Sequence, residues 1–206
     1  MAKDTIRTVI RDARARTVLT VLMLTAVLGT AQTTQDGAEE PEPPPSPTLI
    51  QLVDPLDEPQ FYCVDVPGFG ASLNLDGALT AHTCKPRADD ELFTVGHPSA
   101  GHLYMPAYDR CVQAGGATAG AELHLEACAD VPLQRFILTA DGQLPLEAAE
   151  GSAAETVYCL AVEPGEGQPT GGPSHLRRGL ILTPCADAAP SLTQWLFPGV
   201  LPEPQQ

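Results

Sequence analysis

The chain has 206 residues, room for one domain of ordinary size with extensions. Aromatics make up only 5%, while 18 Gly and 21 Pro interrupt helix and strand interiors, which favours many short strands over long helices. Setting aside residues 1–31, with five bases and two acids, leaves six Lys/Arg against 24 Asp/Glu; this formal charge of −18 repels phosphate backbones and anionic lipid, and excludes nucleic acid and membrane surfaces as partners.

Residues 1–31 read as a signal peptide. Lys3, Arg7, Arg11, Arg14 and Arg16 form a basic head, residues 17–28 (TVLTVLMLTAVL) an apolar stretch, and Gly29-Thr30-Ala31 a small-residue end. The apolar stretch is shorter than the roughly 20 residues of a spanning helix. Export with cleavage near Ala31 is the expectation, with an uncleaved N-terminal anchor as the alternative, so the predicted location is secreted, periplasmic or extracellular. Residues 32–48 (QTTQDGAEEPEPPPSPT) hold no large apolar side chain and cannot offset their ordering entropy, so they are predicted to be a disordered acidic linker. A domain is expected over residues 49–198, followed by a short tail, 199–206.

All six cysteines, Cys63, Cys84, Cys111, Cys128, Cys159 and Cys185, lie in that domain. An even count in an exported chain favours disulfides, and no CxxC pair suggests a zinc ribbon or redox site. Cys63, Cys111 and Cys159 recur every 48 residues in similar settings (Tyr62-Cys63-Val64, Arg110-Cys111-Val112, Tyr158-Cys159-Leu160). Cys84, Cys128 and Cys185 each follow an alternating apolar run. A third mark closes each unit: Glu91-Leu92-Phe93, Gln134-Arg135-Phe136 and Thr193-Gln194-Trp195. Self-similarity at a fixed period outranks local propensity. It predicts the local pairs Cys63–Cys84, Cys111–Cys128 and Cys159–Cys185, with hairpin-like turns at Gly101-His102-Leu103 and Asp141-Gly142-Gln143-Leu144. Three units of about four strands each can share one core around a pseudo-threefold axis, with Phe93, Phe136 and Trp195 as its aromatics. Such a closed, twelve-stranded arrangement leaves no exposed sheet edge.

The recurring C-[VL]-x, the strand ending in Cys and the degenerate Q-x-W resemble the ricin-type (R-type) lectin family over roughly residues 50–198. The resemblance implies an all-β β-trefoil and a shallow sugar pocket in each competent repeat. In the first repeat Asp65 falls at the position that accepts hydrogen bonds from sugar hydroxyls. His82 falls at the position that stacks on the sugar ring, Thr80 at the polar strand position, and Asp90 with Glu91 at the polar pair. Glu91 stands where the family has Gln, turning a donor amide into an acceptor-only carboxylate at neutral pH. The second repeat has Gln113 and Glu126 at the Asp and aromatic positions, the third Ala161 and Thr183 with an insertion over residues 163–178. Both resemble scaffolding for the first.

The same residues admit plainer readings. Asp65 suits a turn at Pro67-Gly68, His82 an exposed strand position, and Asp89-Asp90-Glu91 a solvated acidic loop or a weak calcium site without enough oxygen ligands. His97 and His102 lack further spaced metal ligands, and the glycines of residues 165–172 mark a flexible insertion rather than a phosphate loop. G-x-S-x-G and H-E-x-x-H are absent. The sequence therefore predicts no enzyme, no catalytic residue, no metal and no cofactor. It predicts an exported module binding a neutral, galactose-type sugar of a glycan or polysaccharide through repeat one. The alternative is a degenerate trefoil contacting a protein partner as an inhibitor or accessory subunit.

Overall fold

Short strands build the domain: residues 80–83 and 123–126 alternate in burial as half-buried strands do, whereas residues 62–65 and 159–162 are buried throughout. The computed structural model describes residues 45–147, 156–171 and 175–198. The chain divides into two units, and every described residue belongs to the second, Glu42–Gln206. The expected signal peptide, residues 32–44 of the expected linker and the tail 199–206 lie outside the described residues. Thr48 already pairs with Phe93 through two backbone hydrogen bonds of 2.8 Å.

Eleven strands occur among the described residues: β1 (Gln51–Leu52), β2 (Tyr62–Asp65), β3 (Thr80–Thr83), β4 (Thr94–Val95), β5 (Leu103–Met105), β6 (Arg110–Ala114), β7 (Leu123–Glu126), β8 (Tyr158–Val162), β9 (Gln168–Pro169), β10 (Leu176–Pro184) and β11 (Trp195–Leu196). β9 belongs to the third-repeat insertion. The other ten, with isolated bridges Phe136↔Leu146 and Pro145↔Cys159 at the two remaining positions, give each repeat four strand positions.

The threefold sequence repeat reappears as a threefold register. β2–β3, β6–β7 and β8–β10 are antiparallel hairpins in which Cys63 faces His82, Cys111 faces Glu126 and Cys159 faces Thr183. The strand before each hairpin meets the first cysteine in the same way, through Gln51, Tyr104 and Pro145. Disulfides Cys63–Cys84, Cys111–Cys128 and Cys159–Cys185 close the hairpins with Cα atoms 4.9–5.0 Å apart, pairing as the repeat predicts. The N–H groups of Phe93, Phe136 and Trp195 donate to the carbonyls of Thr48, Gly101 and Gly142, each at 2.8 Å. All three rings are buried in one core with Leu52, Leu103 and Leu144. The Trp195 indole N–H donates to the Leu160 carbonyl at 3.1 Å, so its polar edge is satisfied inside that core.

Symmetry breaks at the insertion. β10 runs nine residues where its counterparts β3 and β7 run four. Its second half completes the repeat-three hairpin. Its first half crosses to repeat one, where Arg177, Arg178 and Gly179 pair with His82, Ala81 and Thr80, while β9 covers its other edge. Two acids of repeat one hold this crossing segment. Asp57 accepts hydrogen bonds from the Gly167 N–H (2.7 Å), Arg178 (2.6 Å) and the Tyr62 hydroxyl (2.9 Å). The buried Glu58 accepts from the Thr83 hydroxyl (2.7 Å) and the Leu176 N–H (3.1 Å).

Candidate functional site

Asp65 ends β2 and His82 lies in β3, so hairpin register alone places them on neighbouring strands. Both line a cleft of about 580 Å³ on repeat one, together with Lys85, Phe69 and, from the insertion, Thr170, His175 and Arg177. Asp90 and Glu91 sit behind Lys85, and Glu91 is fully buried. Thr80 is not in this cleft. It lines an adjoining one of about 450 Å³ with Glu163, Glu166, Gln168, Arg177 and Gly179, and its buried hydroxyl has no hydrogen-bond partner among the described residues.

Lys85, the residue after Cys84, organises the floor. Its ammonium lies 2.8 Å from Asp90, 3.0 Å from Asp65 and 3.4 Å from Glu91. Repeat two explains why. There the Gln134 amide accepts from the Ala129 N–H (2.8 Å) and donates to the Ala127 carbonyl and to Gln113 (both 2.9 Å). Glu91 reproduces the first bond, accepting from the Lys85 N–H at 2.5 Å. As a carboxylate it cannot reproduce the donations, and its other oxygen has no hydrogen-bond partner among the described residues. The Lys85 ammonium supplies the missing donors to Asp65 and offsets the extra negative charge. The positions equivalent to Lys85 hold Ala129 and Ala186. That contrast is the sequence signal by which Lys85 could have been found.

Burial dominates the electrostatics. It raises Asp65 to about 7 against the opposing pull of Lys85, and raises Glu91 to about 8, where the Asp65 charge adds to it. Burial also works against the Lys85 charge, but the bond to Asp90 and the charges of Asp65 and Glu91 outweigh it and hold the ammonium above its ordinary value. Burial lowers His82, helped by the Lys85 charge. Asp65, His82 and Glu91 bring one potential ligand atom each within 4.8 Å of one another. The ammonium of Lys85 already stands among those carboxylates, where a metal cation would have to stand.

His82 is held rather than free. Nε2 lies 3.1 Å from the Thr170 hydroxyl, Nδ1 lies 3.1 Å from the Thr83 carbonyl, and the ring meets His175 edge-on at 5.8 Å. The open aromatic face of the cleft is Phe69, 86% exposed, in the loop between β2 and β3. A rigid turn presents it. Gly68 takes φ +110°, and a Cβ there would lie 2.2 Å from the Ser72 carbonyl oxygen. The Ser72 N–H closes onto the Phe69 carbonyl (2.9 Å) and the Asn74 N–H onto that of Pro67 (2.8 Å). Sequence reasoning missed Phe69 because the family pattern puts the stacking ring at position 82. A lone aromatic between two glycines was the available signal. Elsewhere, His102 is buried with Nε2 3.1 Å from the Ala129 carbonyl, and the His97 ring packs 5.1 Å from Tyr104, so the two histidines serve separate loops.

No family model and no curated protein sequence matches the chain. Among solved structures it is similar to the β-trefoil lectin of the Vibrio vulnificus hemolysin/cytolysin, crystallised with N-acetyl-D-lactosamine bound (TM-score 0.54, 17% identity, 77% of this chain and 97% of that one). It is also similar to ThreeFoil, a designed threefold-symmetric protein (TM-score 0.50, 14% identity, 73% and 96%). Identity this low speaks to architecture alone, and it agrees with the repeated register, the shared aromatic core and the three disulfides: the domain is a β-trefoil.

Proposed function

We propose that the protein is an exported, non-enzymatic carbohydrate-binding module of the ricin-type kind, which takes a neutral, galactose-type sugar into the repeat-one cleft. One observation carries this reading: a solvent-facing ring, Phe69, opposes a polar floor of Asp65, Lys85 and His82. A hexose has a C–H face that suits such a ring and hydroxyls that both donate and accept. Asp65 supplies an acceptor and Lys85 donors, so the ion pair replaces the carboxylate-plus-amide pair of the family pattern. The lectin bound to N-acetyl-D-lactosamine supports sugar binding on this fold. The three disulfides suit an oxidising, extracytoplasmic setting.

A glycan array followed by calorimetry tests the proposal. Phe69→Ala is expected to weaken binding about tenfold, and Asp65→Asn, which keeps the side-chain shape, to weaken it further. Absence of any bound glycan, or full affinity in both variants, would overturn it. A second reading, a trefoil turned to protein contact, draws on the internal commitment of Asp65 to Lys85 and of His82 to Thr170. A stoichiometric protein partner whose capture is indifferent to added sugar would favour that reading.

A further inference from the structure

The repeat-one cleft has a neighbour. The second cleft, about 450 Å³, lies along the crossing half of β10, and Arg177 lines both. Its other walls come from the insertion and from the opposite end of β3, and they carry acceptors (Glu163, Glu166) and an amide (Gln168). Gly179 keeps this cleft open beside Glu163: a Cβ there would lie 2.5 Å from the Glu163 carboxylate.

Arg177 is unusual among the described residues. Lys85, Arg110, Arg135 and Arg178 are each paired with acids, namely Asp65 and Asp90, Asp76, Asp130 and Glu147, and Asp57. Arg177 is exposed and its guanidinium has no ion pair or hydrogen bond among the described residues, although acids outnumber bases heavily. A free guanidinium on a ridge between two clefts, with acceptors beyond it, matches successive sugar units better than one. The flanking carboxylates disfavour an anionic chain.

We propose that the insertion forms a second saccharide subsite and that the ligand is a neutral oligosaccharide lying across Arg177. The first unit rests on Phe69 and the next hydrogen-bonds to Arg177, Gln168 and Glu166. This deepens the lectin reading and rests on it. It also gives the repeat-three insertion a role in recognition, so the site belongs to two repeats.

Calorimetry of the purified protein with galactose and with β-galacto-oligosaccharides of two to four units tests it. The tetramer is expected to bind at least about tenfold tighter than galactose. Gly179→Ala and Glu166→Ala are expected to remove most of that ratio, whereas Phe69→Ala weakens galactose and tetramer alike. Thermal melts and non-reducing peptide maps check that each variant is folded. Equal affinity for monomer and tetramer, or an unchanged ratio in both second-cleft variants, overturns the subsite and leaves the lectin reading standing. Failure of every member of the series to bind overturns both.

Discussion

Position 91 shows how one substitution reorganises its surroundings. A glutamine there, as at Gln134, both accepts and donates, whereas Glu91 accepts one backbone bond and leaves an oxygen facing Asp65 and Lys85. Three acids then share one ammonium. Lys85→Ala strips from Asp65 and the buried Glu91 the one Lys or Arg that pairs with them among the described residues, and is expected to cost about 3 kcal/mol in chemical denaturation, most of it above pH 8. The pH dependence has a definite sign. The folded state holds Asp65 and Glu91 protons more tightly than an unfolded chain, since burial raises them to about 7 and about 8. Their ionisation therefore costs stability progressively as pH rises from about 4 through about 8. Glu91→Gln removes that cost and restores a donor. It is expected to gain about 1–2 kcal/mol at pH 8.5, a rise of roughly 3–6 °C in Tm, with the gap to wild type closing near pH 5. Melting curves across this pH range check it.

At the scale of elements, the β9–β10 hairpin decides what the cleft looks like. It is held by a few bonds to repeat one rather than by its own core, and its strand β9 is exposed on both residues. Asp57 takes two of those bonds, from the Gly167 N–H and Arg178. Although burial opposes it, hydrogen bonds from Gly167, Arg178 and Tyr62 lower its carboxyl to about 2. This contribution is present above the ordinary carboxylate range and is lost as pH falls toward 2. Asp57→Ala is expected to speed hydrogen exchange at the amides of Gly167 and of residues 176–179 by about tenfold. Exchange in β6 and β7 should stay unchanged, because subglobal openings are set by local contacts. Uniform acceleration throughout would show that the hairpin opens only with the whole domain. The hairpin disulfides act differently, by restricting the unfolded chain. Reducing Cys159–Cys185, which spans 26 residues, is expected to cost about 3 kcal/mol in the chain-entropy model.

Over the whole molecule, three repeats converge on one small aromatic core. Phe93, Phe136 and Trp195 come from different repeats yet share that cluster, so losing one ring is felt by all three. Phe136→Ala is expected to destabilise by about 3–5 kcal/mol, read from a single cooperative denaturation midpoint. Separate transitions for the repeats would mean that each folds alone. The recognition site obeys no such symmetry. Position 65 is Asp against Gln113 and Ala161, position 85 is Lys against two alanines, and only repeat three carries the hairpin that crosses to its neighbour.

Much of this was legible in the sequence, for a physical reason. Each disulfide joins residues no more than 26 apart, each hairpin is local, and the apolar alternation that sets its register is written in the same short segment. Three copies of that local code are enough to specify pairing, core aromatics and threefold closure. Asp65 and His82, picked out by the family resemblance, lie on the two neighbouring strands of one local hairpin. What the sequence could not decide depends on contacts between repeats. His82 meets Thr170 across 88 residues, and Asp57 meets Arg178 across 121. Those distances put a hairpin of repeat three over the ring at position 82, leave Phe69 as the open face, and send Thr80 to a second cleft. Local spacing determined the trefoil, and packing between distant segments determined the shape of its site.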